Sequence, residues 1–340
     1  MTGKNRQILV TGGCGFIGSN FVRHLLTTRN DLSLINLDKL TYAGNPENLT
    51  DLADHPNYRF IHGDICDGKQ VEAVLSEGTD TIVNFAAESH VDRSLYDPAV
   101  FIRTNVGGTQ VLLEQAVKHK VRRFVQISTD EVYGDLEPQA LATESFPLRP
   151  SNPYAASKAG ADLLAFSFHR TFGLDVVSTR CGNNYGPYQF PEKLIPLFIT
   201  NALEDKPLPL YGDGLNVRDW IYVTDHCRGI ELVMERGKSG EVYNISARTQ
   251  KNNRDITQAI LKALSKPENL IHPVKDRPGH DRRYANDPGK IERELGFKTQ
   301  FPFEKALAAT IQWYRDNRTW WERVKSGEYQ KFYEKHYALK

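Results

Sequence analysis

Cysteine is scarce in this chain. Only Cys14, Cys66, Cys181 and Cys227 occur in 340 residues, and no two of them form a C-x-x-C pair. That spacing excludes a dense disulfide framework and a cysteine zinc site. The ten histidines form no H-x-x-x-H or H-E-x-x-H grouping, so no metal is expected. No apolar run approaches the length of a membrane span, and mean hydropathy is −0.50, so no membrane partner is expected. Charge of one sign is also missing: 43 basic residues stand against 42 acidic, which leaves no whole-chain field to favour nucleic acid. Repeats, low-complexity tracts and Pro/Gly/Ser linkers are absent, which argues against loosely tethered domains. Met1–Ile8 leads directly into a strand and a glycine loop, without a signal-peptide apolar core, so a cytoplasmic location is expected.

The composition that is present, 40% hydrophobic, suffices for a sizeable core in one large or two intimately joined domains. Short β-branched runs at Gln7–Val10, Ser33–Leu37, Tyr58–His62, Thr81–Ala86, Arg123–Ser128 and Asp175–Thr179 read as strands. Helical patterns lie between them, among them Ser19–Thr28, Phe101–Lys118 and Pro153–Phe172. This alternation predicts an α/β fold, a Rossmann-like doubly wound parallel sheet. Beyond Arg180 the rhythm is broken by Pro187, Pro191, Pro196, Pro207 and Pro209. Tyr222–Val223 and Glu241–Ile245 read as further strands, Asp255–Leu264 and Ile291–Leu295 as helices. The expected division is 1–182, with a later return to the sheet near 217–246, and a smaller C-terminal domain over 183–340.

The first strand runs into Thr11-Gly12-Gly13-Cys14-Gly15-Phe16-Ile17-Gly18. Glycines at 12, 15 and 18 let the backbone approach a pyrophosphate whose charge sits at a helix N-terminus. Between a strand and an amphipathic helix, this pattern predicts a dinucleotide site rather than a simple turn. Asp38 closes the second strand, twenty residues beyond Gly18, where a carboxylate can accept ribose hydroxyls and repel a 2′-phosphate. That favours NAD over NADP, with Lys39 beside it able to moderate the preference. Asp64, after the third strand, reads equally as an adenine contact and as a loop cap.

Tyr154 and Lys158 stand at i and i+4, on one face of a predicted helix. A nearby ammonium, together with a nicotinamide's positive charge, is expected to lower the tyrosine pKa so that it can take a hydroxyl proton. Ser128-Thr129-Asp130-Glu131-Val132-Tyr133-Gly134 follows the fifth strand, at the sheet edge where open α/β folds bind ligands. Thr129 can donate to a forming carbonyl. Two carboxyl groups in one pocket can be pushed to different pKa values, one serving as acid and one as base. As an isolated pair they would read as a solvated turn; following the hydroxyl donor, they read as chemistry.

The glycine loop with Thr129, Tyr154 and Lys158 resembles the extended short-chain dehydrogenase/reductase superfamily, and Thr129-Asp130-Glu131 resembles its nucleotide-sugar dehydratases. The strings Asp38–Asn45, Phe85–Ser94, Asn183–Leu194 and Asp276–Tyr284 resemble, over nearly the whole chain, the dTDP-glucose 4,6-dehydratase family. The resemblance implies a lyase with tightly bound NAD, contacted also by Phe16, Ile17, Thr41, Ile65, Ala86, Ala87 and Thr104. It implies that Tyr154 takes the proton of the glucose 4-hydroxyl during oxidation, and that Thr129 polarises that oxygen. Glu131 then removes the C5 proton and Asp130 protonates the departing C6 hydroxyl, while Lys158 holds the nicotinamide ribose. Ser89, Asn183, Lys193, Leu194, Arg218, Asn253, Arg277, His280 and Tyr284 are placed against the nucleotide sugar, with Arg218 and Arg277 suited to the diphosphate. The smaller domain is then the nucleotide-sugar-binding domain, and the product feeds deoxysugar biosynthesis, rhamnose among its outlets. The same family pairs two helices of each subunit in a four-helix bundle, here near Phe101–Lys118 and Pro153–Phe172, giving a homodimer. Another nucleotide (UDP, GDP or CDP) or a UDP-sugar 4-epimerase activity is the alternative, and a non-catalytic NAD-binding protein the reading from another class. After Tyr243-Asn244-Ile245 the chain departs from the family's Gly-Gly, reading Ser246-Ala247-Arg248-Thr249-Gln250.

Overall fold

The apolar runs of the first half form strands, and the two-sided burial of all but the edge strand at Tyr58–His62 explains why they read as continuous rather than alternating. In this computed structural model the described residues are 6–326; residues 1–5 and 327–340, at the outer ends of the expected division, lie outside them. The first half comprises β1 (Arg6–Thr11), α1 (Phe16–Thr28), β2 (Leu32–Asp38), β3 (Tyr58–His62), α2 (Gly68–Leu75), β4 (Thr81–Asn84), α3 (Val91–Tyr96) and α4 (Pro98–Phe101). It continues with α5 (Thr109–Lys118), β5 (Arg123–Thr129), α6 (Pro153–Phe172) and β6 (Val176–Cys181). The second half has β7 (Asn183–Tyr185), α7 (Leu194–Leu203), β8 (Leu208–Tyr211), β9 (Val217–Tyr222), α8 (Val223–Arg236), β10 (Val242–Ile245) and β11 (Gln250–Asn252). It closes with α9 (Asn253–Leu264), β12 (Ile271–Val274), α10 (Gly289–Leu295), α11 (Phe303–Asp316) and α12 (Arg318–Val324).

The seven-stranded sheet has the order β10-β6-β5-β4-β1-β2-β3, with every neighbouring pair parallel. It is a Rossmann-like α/β fold. The order reverses between β1 and β4, and that switch point opens a crevice at the carboxyl ends of the strands. One face of the sheet is packed by Phe21, Val22 and Leu25 of α1 with Ile230, Val233 and Met234 of α8. The other is packed by Val71, Leu112, Leu113, Ala165 and Phe168 from α2, α5 and α6. Each such side chain contributes about 1.5–3 kcal/mol of transfer free energy.

A second core joins Tyr185, Phe198, Trp220, Ile256, Ile260, Phe303, Tyr314 and Trp321. It belongs to α7, α9, α11 and α12 and to two small sheets, β11-β9-β7 and β12-β8. This body covers the carboxyl edge of the large sheet.

Two expected elements differ from what forms. The strand expected at Tyr222–Val223 lies earlier, as β9 over Val217–Tyr222, and α8 begins at Val223. The burial of Val223, Cys227, Ile230 and Met234, at helical spacing, takes over there. The helix over Phe101–Lys118 is not uniform either, because Ile102–Gly108 is π-helical. The wider turn brings Asn105 inward, where Nδ2 donates to the Glu88 carbonyl at 3.0 Å and to Ser157 Oγ at 2.8 Å. α6 follows its sequence signals closely. Asn152 Oδ1 accepts the Ala155 N–H at 2.9 Å, Pro153 begins the helix and Gly173 ends it at φ +70°.

Candidate active site

The glycine loop closes β1 onto α1. A Cβ on Gly12 would stand 2.7 Å from Ala86 main chain, and one on Gly18 would stand 2.3 Å from the Gly12 carbonyl. These contacts demand bare backbone, and the first turn of α1 carries no acidic side chain. The loop and helix terminus are thus shaped for a diphosphate. Asn36, a buried polar residue within β2, holds the loop: its Oδ1 accepts the Gly13 N–H at 3.0 Å, and its Nδ2 donates to the Tyr58 hydroxyl at 3.0 Å. Asp38 accepts the N–H of Cys14 and of Leu40, each at 2.8 Å, which leaves lone pairs for ribose hydroxyls. Asp64 takes the cap role. It accepts the Cys66 N–H at 2.9 Å as a turn cap, and it pairs with Lys39 at 2.7 Å on the cavity wall.

A cavity of about 340 Å³ runs from this loop along the carboxyl ends of the strands. Its walls bring together Gly12, Gly15, Phe16, Ile17, Gly18, Asp38, Lys39, Thr41, Asp64 and Ile65 with Ala86, Ala87, Ser89 and Thr104. Thr129, Asp130, Glu131, Tyr154 and Lys158 line the same space. A second cavity, about 150 Å³, lies under the cap and is lined by Arg218, Asn253, Arg277, His280 and Tyr284. Glu131, Asn183, Lys193 and Leu194 border both, so the two spaces meet beside the acid pair.

β5 delivers Thr129 at its end, and a turn of 3-10 helix carries Asp130 and Glu131. Thr129 Oγ1 accepts the Glu131 N–H at 3.3 Å and lies 3.4 Å from Asp130 Oδ1. Asn152, the cap of α6, donates from Nδ2 to Glu131 Oε2 at 3.5 Å and so ties the pair to the helix that carries Tyr154. Asp130 is 2% exposed; burial, then the charges of Glu131 and Asp219, push its carboxyl well above the usual range. Burial and the nearby Glu131 likewise hold the Tyr154 hydroxyl well above its ordinary value, with Thr129 opposing. Lys158 Nζ donates to the Ile127 carbonyl at 2.6 Å, and burial lowers its own pKa.

In the second cavity Arg218 is buried, donates to the carbonyls of Val217 and Asp281 at 2.8 and 2.9 Å, and lies 4.2 Å over the Tyr284 ring. The Tyr284 hydroxyl donates to Asp281 Oδ2 at 2.7 Å. Arg277 pairs with Asp92 at 3.1 Å, and Lys193 Nζ donates to the Ser89 carbonyl at 2.9 Å. His280 meets Asp276 at 2.6 Å, yet burial and the two arginines bring its pKa down to about 4, so it is a neutral ring near pH 7.

The family model for GDP-mannose 4,6 dehydratase matches residues 9–310. A dTDP-glucose 4,6-dehydratase of Streptomyces niveus is 54% identical over 326 residues, covering 94% of this chain and 96% of its own. The chain belongs to the dTDP-glucose 4,6-dehydratase family. Among solved structures, the dTDP-glucose 4,6-dehydratase of Streptomyces venezuelae with NAD and TYD bound superposes with a TM-score of 0.92 at 55% identity. It covers 94% of this chain and 100% of the other. That of Bacillus anthracis in complex with NAD gives 0.89 at 49% identity, over 94% and 100%.

Against that family's motifs, sequence reasoning passed over several wall residues. Glu192, buried and pushed up to about 7 by its burial, borders both cavities, with His90 Nε2 at 3.8 Å and Arg93 Nε at 3.5 Å. Pro209 and Tyr211 of β8 line the second cavity, and the Tyr211 hydroxyl donates to Asp92 Oδ2 at 2.9 Å. The departure from the family's 4,6-dehydratase pattern at Ser246–Gln250 forms a loop with Arg248 at φ +54°. Arg248 is paired with Asp287 at 3.0 Å and Glu292 at 2.9 Å.

Proposed function

We propose that this chain is a hydro-lyase converting dTDP-glucose to dTDP-4-keto-6-deoxy-glucose with NAD recycled in each turnover. The observation that carries this reading is the placement of Thr129, Asp130 and Glu131 beside Tyr154, where a dinucleotide-shaped cavity meets an arginine-lined one. The residues present fit NAD: Gly12, Gly15 and Gly18 would lie along the diphosphate, Asp38 at the ribose and Lys158 at the nicotinamide ribose. When bound, NAD supplies a hydride acceptor for C4 and returns that hydride to C6.

With the positive charges of Lys158 and of a bound nicotinamide favouring its phenolate, Tyr154 takes the proton of the 4-hydroxyl, and Thr129 donates to the oxygen as it becomes a carbonyl. The 4-ketone acidifies C5–H. Glu131, held by Asn152, removes that proton; the electron pair forms the C5–C6 double bond, the C6–O bond breaks, and Asp130 delivers the proton with which the hydroxyl leaves as water. Glu131 then returns a proton to C5. A base and an acid side by side, one tethered and one buried, is the arrangement this elimination needs and an epimerisation does not.

In this reading residues 1–182, with the return near 217–246, hold the cofactor, and 183–340 hold the nucleotide sugar. Arg218 and Arg277 take the diphosphate, and Ser89, Asn183, Lys193, Leu194, Asn253, His280 and Tyr284 line the remainder of the ligand's path. The exposure of Leu95, Tyr96, Ile102 and Leu163 on α3, the 102–108 turn and α6 supports a homodimer through a four-helix bundle. Sedimentation should give a dimer, and a fully active monomer would overturn that part. The free thiols of Cys14, Cys66, Cys181 and Cys227 suit a reducing, cytoplasmic location.

The test is turnover of dTDP-, UDP-, GDP- and CDP-glucose, compared by kcat/KM with NMR identification of the product. A 4-keto-6-deoxy sugar formed best from the dTDP substrate is expected. A galactose epimer, or preference for another nucleotide, would refute the corresponding half of the proposal.

A further inference from the structure

One carboxylate near the acid pair lines neither cavity. Asp219 of β9 is fully buried. Its oxygens accept from Ser246 Oγ at 2.9 Å and from the N–H groups of Ala247 and Thr249 at 3.3 Å each. β11 pairs with β9 at Gln250↔Asp219, so the 246–249 loop closes around this carboxylate. Ser246 belongs to the stretch in which the chain departs from its family.

Strand register brings Asp219 close to Asp130. β5 and β6 pair Thr129 with Cys181, and Asp130 and Gly182 each come next in the chain after that last pair. Gly182 backs directly onto β9, and a Cβ there would stand 2.6 Å from the Asp219 carbonyl oxygen and 3.4 Å from its Cβ. The bare backbone of Gly182 thus lets β9 approach closely at Asp219, whose charge acts on Asp130. Asp130 Oδ2 is buried without a hydrogen-bond partner, so no donor on that oxygen favours ionisation. The groups facing Asp130 are Glu131 on its own turn, Asp219 and Arg218 on β9, Thr129, Tyr154 on α6 and Cys181 on β6. Those facing Asp219, besides its three donors, are Asp130 and the charges of Arg248 and Arg283. Arg248 is committed to Asp287 and Glu292.

We infer that Asp219 is a positioning residue that reserves the proton of Asp130 for the departing C6 hydroxyl. The inference rests on Asp130 being the acid of the elimination. An aspartate with a pKa of about 3.9 would hold almost no proton at neutral pH and could not serve as that acid. A second negative charge, fixed in the same dry region but outside the ligand's reach, makes ionisation of Asp130 unfavourable. Burial raises Asp219 itself to about 6, with Ser246 and the two amides opposing, so it is ionised at neutral pH, where the effect is needed. The Ser246 hydroxyl gives this chain a donor of its own for holding that charge.

The test compares the NAD-loaded wild type with Asp219→Asn and Asp219→Ser in single turnovers across pH. Oxidation at C4 is read by nicotinamide absorbance, and elimination by product NMR. Both variants should keep C4 oxidation while the alkaline limb of elimination moves to lower pH. At alkaline pH the loss should be about tenfold for each unit moved, with recovery toward the wild-type rate in acid. A loss equal at every pH, or a limb that stays in place, would overturn the inference. Asp130→Asn separates the two levels. An alkaline limb that survives in Asp130→Asn removes the acid assignment itself. A limb lost in Asp130→Asn yet unmoved in both Asp219 variants removes only the role of Asp219.

Discussion

One buried histidine should make a separable contribution to the loss of stability on mild acidification. His226 of α8 is fully buried; its Nδ1 lies 2.9 Å from Asn184 Oδ1, and its Nε2 has no hydrogen-bond partner. Asn184 Nδ2 already donates to the Gly182 carbonyl at 3.1 Å, so Asn184 Oδ1 is the acceptor and His226 Nδ1 carries the ring proton. A second proton would place a charge on an unpartnered buried nitrogen, and burial brings the His226 pKa down from 6.5 to about 3. The unfolded chain binds that proton near 6.5 and the folded one does not. The contribution is therefore fully present above 6.5 and is lost as pH falls from 6.5 towards 3, at about 1.4 kcal/mol per unit. Between about pH 7.5 and about pH 5.5 the loss from this residue is about 1.4 kcal/mol. Urea unfolding of wild type and His226→Asn at the two pH values measures it. The variant, which keeps a donor for Asn184, should be less stable at the higher pH and should lose about 1.4 kcal/mol less on acidification. An identical loss in both proteins would refute the assignment of a neutral, unprotonatable ring.

Gly18→Ala places a methyl against the Gly12 carbonyl; the purified protein should carry far less NAD, read by the absorbance of nucleotide released on denaturation. Tyr154→Phe should slow C4 oxidation about 10²–10⁴-fold while NAD content is unchanged, and a normal single-turnover oxidation rate would remove its role. Arg218→Lys loses the planar guanidinium that bridges the Val217 and Asp281 carbonyls and lies over Tyr284. It should raise KM about tenfold or more, with a smaller effect on kcat.

The glycine loop, Asp38 and the acid pair were legible because each lies within a few residues of a strand end, and the Tyr–Lys helix because Asn152, Pro153 and Gly173 mark its ends. The parallel sheet was legible because strands buried on both faces are continuous apolar runs. Asn36 was not, since a polar residue inside a strand carries no sign of the loop it will hold. The cap was hardest to read. β8 and β12 pair in parallel across more than sixty residues, at Leu208↔Ile271, and Pro209 and Pro273 mask both strands from an alternation test. Tyr211 therefore reached the second cavity unannounced. The π turn at 102–108 hid within a good helical pattern, because its extra residue is required by the inward Asn105 rather than by any local propensity. Spacing puts Lys158 on the face of Tyr154 but does not say which acceptor its ammonium meets, which is the Ile127 carbonyl.

The division of labour between Glu131 and Tyr154 is the centre of the account, and solvent isotope separates them. Turnover of dTDP-glucose in deuterated water should give a 4-keto-6-deoxy sugar with deuterium at C5 in the wild type. Glu131→Gln, which preserves the side-chain shape beside Asn152, should still oxidise C4 and accumulate reduced nicotinamide. It should lose elimination and C5 labelling about 10²–10⁴-fold. C5 deuteration that persists in Glu131→Gln, or equal loss of oxidation and elimination, would contradict it.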